Sequence, residues 1–189
     1  MTAERLSPRR IAVVPTFAEE YIFPAALRQA QEIFAAQGCT SEILPTLDRF
    51  SRERQVLTAL LAGGYDGALI EGAKTALPDP NLDLYEKLAR QIPLVFFHGC
   101  SAGVPGAVCV EDDNEGGGYL LTRYLLSLGH TAVGGVFKGD DAQGPARYAG
   151  YTAALRDAGL PLPDGRVYWY TASDREDLLD RGDTGRLRD

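Results

Sequence analysis

The feature that most constrains this chain is a repeated alternation. Short runs of consecutive apolar residues are followed by longer stretches whose apolar residues recur every three or four positions. Arg10 to Pro15 (RIAVVP) is the first such run, and its continuous apolar character predicts a strand buried on both faces of a sheet. Tyr21 to Gly38 then places Phe23, Leu27, Ala30, Ile33 and Phe34 on one helical face and ends at Gly38, a helix C-cap residue. The unit recurs. Strands are expected at Ser41–Pro45, Asp66–Glu71, Ile92–His98 and Ala107–Glu111. Helices are expected at Arg52–Gly64, with Val56, Leu57, Leu60 and Leu61 inward, at Leu82–Gln91 and at Asp113–Leu128. Strands separated by helices predict an α/β fold, a parallel sheet flanked by helices on right-handed crossovers. Gly116, Gly117 and Gly118 weaken the start of the fourth helix, where backbone is expected to approach something closely.

Beyond Leu128 the same grammar continues on a smaller scale. A helix stop at Gly129-His130 leads into a strand at Ala132–Phe137. A polar loop follows, Lys138-Gly139-Asp140-Asp141-Ala142-Gln143-Gly144, then a helix at Pro145–Gly159 and a strand at Arg166–Thr171. Two strands offer little sheet to bury against. The charged segment from Asp174 onward is expected to be frayed.

Composition bounds the function. With 189 residues, 45% hydrophobic and 24% charged, the chain can bury a core as one compact unit or two small lobes. No apolar run approaches the ~20 residues needed to span a bilayer, and MTAERLSPRR lacks a signal peptide's apolar segment, so a cytoplasmic protein with no membrane partner is expected. Arg5, Arg9 and Arg10 are read as part of a solvated linker over residues 1–10 rather than a basic nucleic-acid arm. A net charge of −7 argues against a grip on DNA phosphates by this stretch itself. Cys39, Cys100 and Cys109 are odd in number and lack metal-ligand spacing. Neither a disulfide framework nor a metal site is expected, and the three read as small buried residues.

In an open α/β sheet, ligands sit outside the carboxyl ends of the strands. The loops there supply Phe17 and Tyr21, then Glu71 and Lys74, then His98, then Asp113, and finally Phe137, Lys138, Asp140, Asp141, Gln143 and Arg147. If the sheet is doubly wound, they converge on one cleft. Carboxylates, an amide and a guanidinium can hold sugar hydroxyls in directed pairs, and an aromatic ring can cover the apolar face of a sugar. Other uses of the same residues stay open: Asp113 as a helix cap, Glu71 with Lys74 as a surface pair, Arg147 as a surface arginine, Tyr21 and Phe23 as core, and His98 as a structural histidine. Asp140 and Asp141 are adjacent in sequence and do not read as a glycosidase pair. No Gly-x-Ser-x-Gly elbow, Walker loop or dinucleotide fingerprint appears, so neither an enzyme nor a cofactor is expected.

The order Gly129-His130, apolar strand, polar loop, Arg147-x-x-Gly150-Tyr151 and an Ala/Leu helix closed by Gly159 resembles the sugar-sensing core of LacI/GalR-type bacterial transcription regulators. Glu71-x-x-Lys74-x-Ala76-Leu77, Tyr21-Ile22-Phe23-Pro24 and Phe137-Lys138-x-Asp140-Asp141-x-Gln143-Gly144 are most similar to the arabinose-responsive branch of that family. The resemblance implies a periplasmic-binding-protein type I-like fold. Its N-terminal lobe would span residues 11–129, and an incomplete C-terminal lobe would span 130–189. It also implies ligand contacts from Tyr21, Glu71, Lys74, His98, Asp113, Phe137, Lys138, Asp140, Asp141, Gln143 and Arg147, with L-arabinose or a related pentose as effector. A homodimer when full length, and DNA contact only through a module outside this chain, complete the expectation. A sugar-binding protein of a transport system shares the fold and is the rival reading. A flavodoxin-like nucleotide or phosphate binder would need a phosphate loop that is not found.

Overall fold

The structure, a computed structural model, describes residues 9–20, 22–101, 103–162 and 164–181. Most of the expected linker, Tyr21 and the tail beyond Arg181 lie outside the described residues. The chain divides into two compact units, Met1–Ala73 with Asp79–Val110, and Lys74–Pro78 with Glu111–Asp189. The lobe boundary expected at 129/130 falls inside the second of these.

In the first unit, strands β1 (Arg10–Val14), β2 (Thr40–Ile43), β3 (Gly67–Ile70), β4 (Leu94–Phe97) and β5 (Val108–Val110) form a parallel sheet in the order β2-β1-β3-β4-β5. Helices α1 (Phe23–Ala36), α2 (Phe50–Leu61) and α3 (Leu82–Ala89) connect them. The two-residue alternation of strand side chains divides the core. Ala12, Val14, Ala68, Ile70, Leu94 and Phe96 face Val56, Leu57, Leu60, Tyr85 and Leu88 of α2 and α3. Val13, with Leu69 and Phe97 packed beside it, faces Phe23 and Leu27 of α1. Phe23 is therefore core. The α1 stripe is shorter than its periodicity predicts, because Ile33 is 55% exposed.

The cysteine expectation is corrected. Cys100 and Cys109 are bonded to each other, with Cα atoms 6.0 Å apart, and Cys109 is exposed rather than buried. Cys39 is unpaired and half-buried.

In the second unit, β6 (Gly135–Lys138) and β7 (Val167–Tyr170) pair in parallel, with α4 (Asn114–Ser127) and α5 (Gln143–Asp157) packed together. Val133, Tyr151 and Leu155 form the centre of its core, against Phe137, Tyr148, Leu125 and Leu126. The weak first turn of α4 is where two helices touch backbone to backbone. A β-carbon at Gly118 would overlap the Arg147 carbonyl, and one at Gly150 would overlap the Glu115 carbonyl. The frayed-end expectation is also corrected, since Ala172–Arg181 is a helix, α6. Asp174 Oδ2 accepts from Thr171 N (2.8 Å) and Thr171 Oγ1 (2.7 Å), and the Asp140 carboxylate accepts from Ala172 N at 2.9 Å, so two carboxylates anchor its first turn.

Candidate functional site

The strand order reverses between β1 and β3, and loops that leave such a switch point in opposite directions open a crevice at the carboxyl ends. Thr16 and Glu71 stand there. Glu71 is buried; its N–H donates to Val14 O (2.8 Å), and its Oε2 accepts from Thr16 N (2.7 Å) and Thr16 Oγ1 (2.5 Å). Its Oε1 lies 3.9 Å from Nε2 of His98, which becomes an ion pair when the imidazole is protonated. The His98 ring meets Phe23 edge-on, with centroids 6.0 Å apart. Its backbone is left-handed, φ 60°, so the chain turns sharply as it leaves β4. In the first unit the structure thus brings together Glu71 and His98 and adds Thr16, which the sequence reading did not single out.

A second polar network lies beneath the β3 loop, and sequence reasoning missed it. Glu53, 1% exposed on α2, accepts from Ala73 N (2.9 Å), Asn81 Nδ2 (2.8 Å) and Tyr85 OH (2.8 Å). Burial raises its carboxyl pKa above the ordinary 4.5, an effect opposed by those three hydrogen bonds. Burial, then the charge of Glu53, pushes the Tyr85 phenol well above 10. Asp79 continues the network by accepting from Asn81 N (2.7 Å) and Ser101 Oγ (2.5 Å). The signal was present. Glu53, Val56, Leu57 and Leu60 occupy positions i, i+3, i+4 and i+7, so a carboxylate sits on the inward stripe of its helix.

In the second unit the loop after β6 carries the cluster. Lys138 Nζ lies 2.5 Å from Asp141 Oδ2 and 3.4 Å from Asp140 Oδ1. The Asp140 Oδ1 contact is an ion pair without hydrogen-bond geometry, for that buried oxygen has no hydrogen-bond partner. Asp140, expected as a ligand contact, is buried and has its other oxygen accepting from Ala172 N at the start of α6. The loop is tied to the segment carrying Lys74, through Ala76 N to Asp140 O (3.2 Å) and Ala142 N to Thr75 Oγ1 (3.1 Å). Lys74 itself has φ 47°.

The remaining expected residues divide between roles. Arg147 Nε donates to Asn114 Oδ1 (2.9 Å) across the close α4–α5 contact. Asp113 Oδ1 caps α4 by accepting from Gly116 N (2.9 Å), which is the capping role left open by the sequence. Gln143 is buried at the start of α5. Phe137 is in ring contact with Tyr148, Tyr151 and Trp169 at centroid distances of 5.4–5.7 Å and packs against the core of the unit. Because Cys100 and Cys109 are bonded to each other, their sulfurs are not offered to a metal.

A doubly wound parallel sheet with polar side chains gathered at its carboxyl ends is the architecture of a ligand-binding domain. The chain belongs to the periplasmic binding proteins and sugar binding domains of the LacI family, whose profile matches residues 11–179. Its curated relatives include the arabinose metabolism transcriptional repressor of Halalkalibacterium halodurans, 34% identical over 168 residues, which are 88% of this chain and 44% of that protein. The repressor of the same name from Geobacillus stearothermophilus is 31% identical over 173 residues, 91% of this chain and 47% of that protein. The chain therefore spans about half the length of these relatives. Among solved structures, the transcription regulator CcpA of Lactococcus lactis superposes with a TM-score of 0.73 at 19% identity, covering 93% of this chain and 65% of that one, which shows the shared fold. Among the described residues no helix is long and apolar enough to cross a membrane.

Proposed function

We propose that this chain is the effector-sensing region of a transcription repressor and that its effector is a pentose, L-arabinose or a close relative. The observation that carries the reading is the pinned carboxylate at the switch point. Glu71, oriented by two hydrogen bonds from Thr16 and set beside His98, is a directed acceptor of the kind that sugar hydroxyls need. Taken by itself, the second unit offers Lys138, Asp141 and Arg147 as charged donors and acceptors, with Lys74, Asp113 and Gln143 as further candidate contacts. The relatives' role in arabinose metabolism supports the pentose, and their being repressors favours a sensor over a transport protein. DNA contact and homodimer formation belong, on this reading, to the whole repressor, whose operator affinity changes because the effector binds two states unequally.

Calorimetric titration with L-arabinose tests it. Arg147→Ala is expected to weaken binding by about 1.5–3 kcal/mol, since a charge-assisted hydrogen bond is lost, or about 10- to 150-fold in Kd. If no pentose binds to this chain or to a longer version of it, the sugar assignment is wrong. If pentose binds and Arg147→Ala leaves the affinity unchanged, Arg147 is a structural arginine held by Asn114.

A further inference from the structure

We infer that Cys100 and Cys109 are a reversible thiol–disulfide pair whose state governs how firmly His98 is held at the end of β4. The bridge closes the crossover from β4 to β5, a connection in which the described residues form no helix. Cys109 sits in β5 opposite Phe96, and Cys100 follows His98 by two residues. The N–H of His98 donates to Val110 O at 2.9 Å, the carbonyl next to Cys109. His98 is thus tethered on both sides by neighbours of the disulfide while its backbone adopts a left-handed conformation that a residue with a β-carbon seldom keeps without support. Ser101 Oγ to Asp79, Gly72 N to Gly99 O, the buried Val104 and the core-packed Ala107 also anchor this crossover.

Access and loop length favour exchange. The sulfur-bearing residue on β5 is exposed and its partner half-buried, so a small thiolate meets Cys109 first. A sequence separation of 9 closes a short loop, which restricts the unfolded chain less than a long-range bridge does, and so less of the folding free energy guards it against reduction. In the reducing direction a small thiolate attacks the Cys109 sulfur, the protein S–S bond breaks, and Cys100 leaves as a thiolate that takes up a proton. A second small thiol then attacks the mixed disulfide, releasing the small-molecule disulfide and the Cys109 thiol. Two thiols are oxidised to one disulfide and the protein gains two electrons and two protons; the reverse reaction returns them to the small disulfide.

The test equilibrates the full chain in graded ratios of reduced to oxidised glutathione, traps free thiols with N-ethylmaleimide and counts labels by mass. Cys39, unpaired, contributes one label throughout. The count is expected to pass from one to three in a single step. Hydrogen exchange in peptides covering residues 98–110 should be at least about fivefold faster in the reduced form, as local opening becomes easier. The doubly substituted Cys100→Ser, Cys109→Ser chain should exchange like the reduced form at every ratio. A count fixed at one or at three across all ratios overturns the inference. So does equal exchange in the two forms, or global unfolding on reduction, which would make the bridge a structural staple. No sugar enters the measurement, so its outcome and that of the arabinose titration are read separately.

Discussion

Replacing Glu53 by alanine removes the acceptor for three buried donors at once. Ala73 N–H and Tyr85 O–H lose their partner outright, at positions 4% and 0% exposed, whereas Asn81 Nδ2 keeps a second bond to Phe50 O at 2.9 Å. An unsatisfied buried donor costs about 1–3 kcal/mol, so two full losses and one partial loss, less the relief of no longer burying a carboxylate, come to about 3–5 kcal/mol. That is a large part of the stability of a typical domain, about 5–15 kcal/mol. Urea unfolding followed by far-UV circular dichroism measures it, and the single tryptophan, Trp169 in the second unit, reports that unit separately. The dichroism midpoint should fall and the Trp169 transition should stay nearer its original place. The pH dependence has a definite sign. Because the folded pKa of Glu53 is raised, the folded state holds this proton more tightly than the unfolded state does. Its contribution is greatest below the unfolded value near 4.5 and is lost as pH rises through the folded value. Glu53→Gln should abolish that slope while keeping an acceptor for Ala73 N and Tyr85 OH. A Glu53→Ala midpoint within about 0.5 kcal/mol of the parent, the range of ordinary surface substitutions, would refute the reasoning.

Gly150→Ala should destabilise the second unit by about 1–3 kcal/mol despite the better helix propensity of alanine, because the added carbon meets backbone of α4 that cannot swing aside; Trp169 fluorescence in urea reads this, and an unchanged midpoint would contradict the close approach. Asp140→Ala should loosen the start of α6 at a cost of about 1–2 kcal/mol, seen as faster hydrogen exchange at Ala172–Arg181. Protection there equal to that of the parent would mean that Thr171 and Asp174 suffice.

Elements whose burial follows a strict period were legible in the sequence. β1 reads as a strand because Ala12, Val13 and Val14 are all buried, which only a sheet covered on both faces allows, and α2 reads as a helix because Val56, Leu57 and Leu60 share a side. The candidate residues of the site could be named from the sequence, but their partnerships could not. A strand-end Glu71 can be read from EGAKTAL, but its tie to Thr16 spans 55 residues and has no local signature. Asp140 and Asp141 are chemically alike and adjacent, yet one is sunk under α6 and the other faces Lys138, a distinction made by a helix the sequence reading left out. That helix had a signal, the Thr171-x-x-Asp174 spacing of a capping box, masked by a highly charged composition. The Cys100–Cys109 bond was hidden for a different reason: an odd number of cysteines says nothing about which two strand ends the fold brings together.

Left-handed backbone recurs in the loops that follow β2, β3 and β4. Among the described residues, the non-glycine positions with positive φ are Leu47, Asp48, Lys74 and His98, all in segments that leave the carboxyl ends of β2, β3 and β4. A left-handed conformation costs a residue with a β-carbon about 1–2 kcal/mol, which glycine would avoid. Elsewhere this chain does use glycine for the purpose, as at Gly129 and Gly159 after α4 and α5. On the proposed reading, Lys74 and His98 are kept in such positions for their side chains. Hydrogen bonds hold these turns, His98 N to Val110 O and Gly72 N to Gly99 O, so the backbone there is fixed in advance of any ligand. On the proposed reading, a site built this way would give up some stability in the free protein so that little ordering remains to be done when an effector binds.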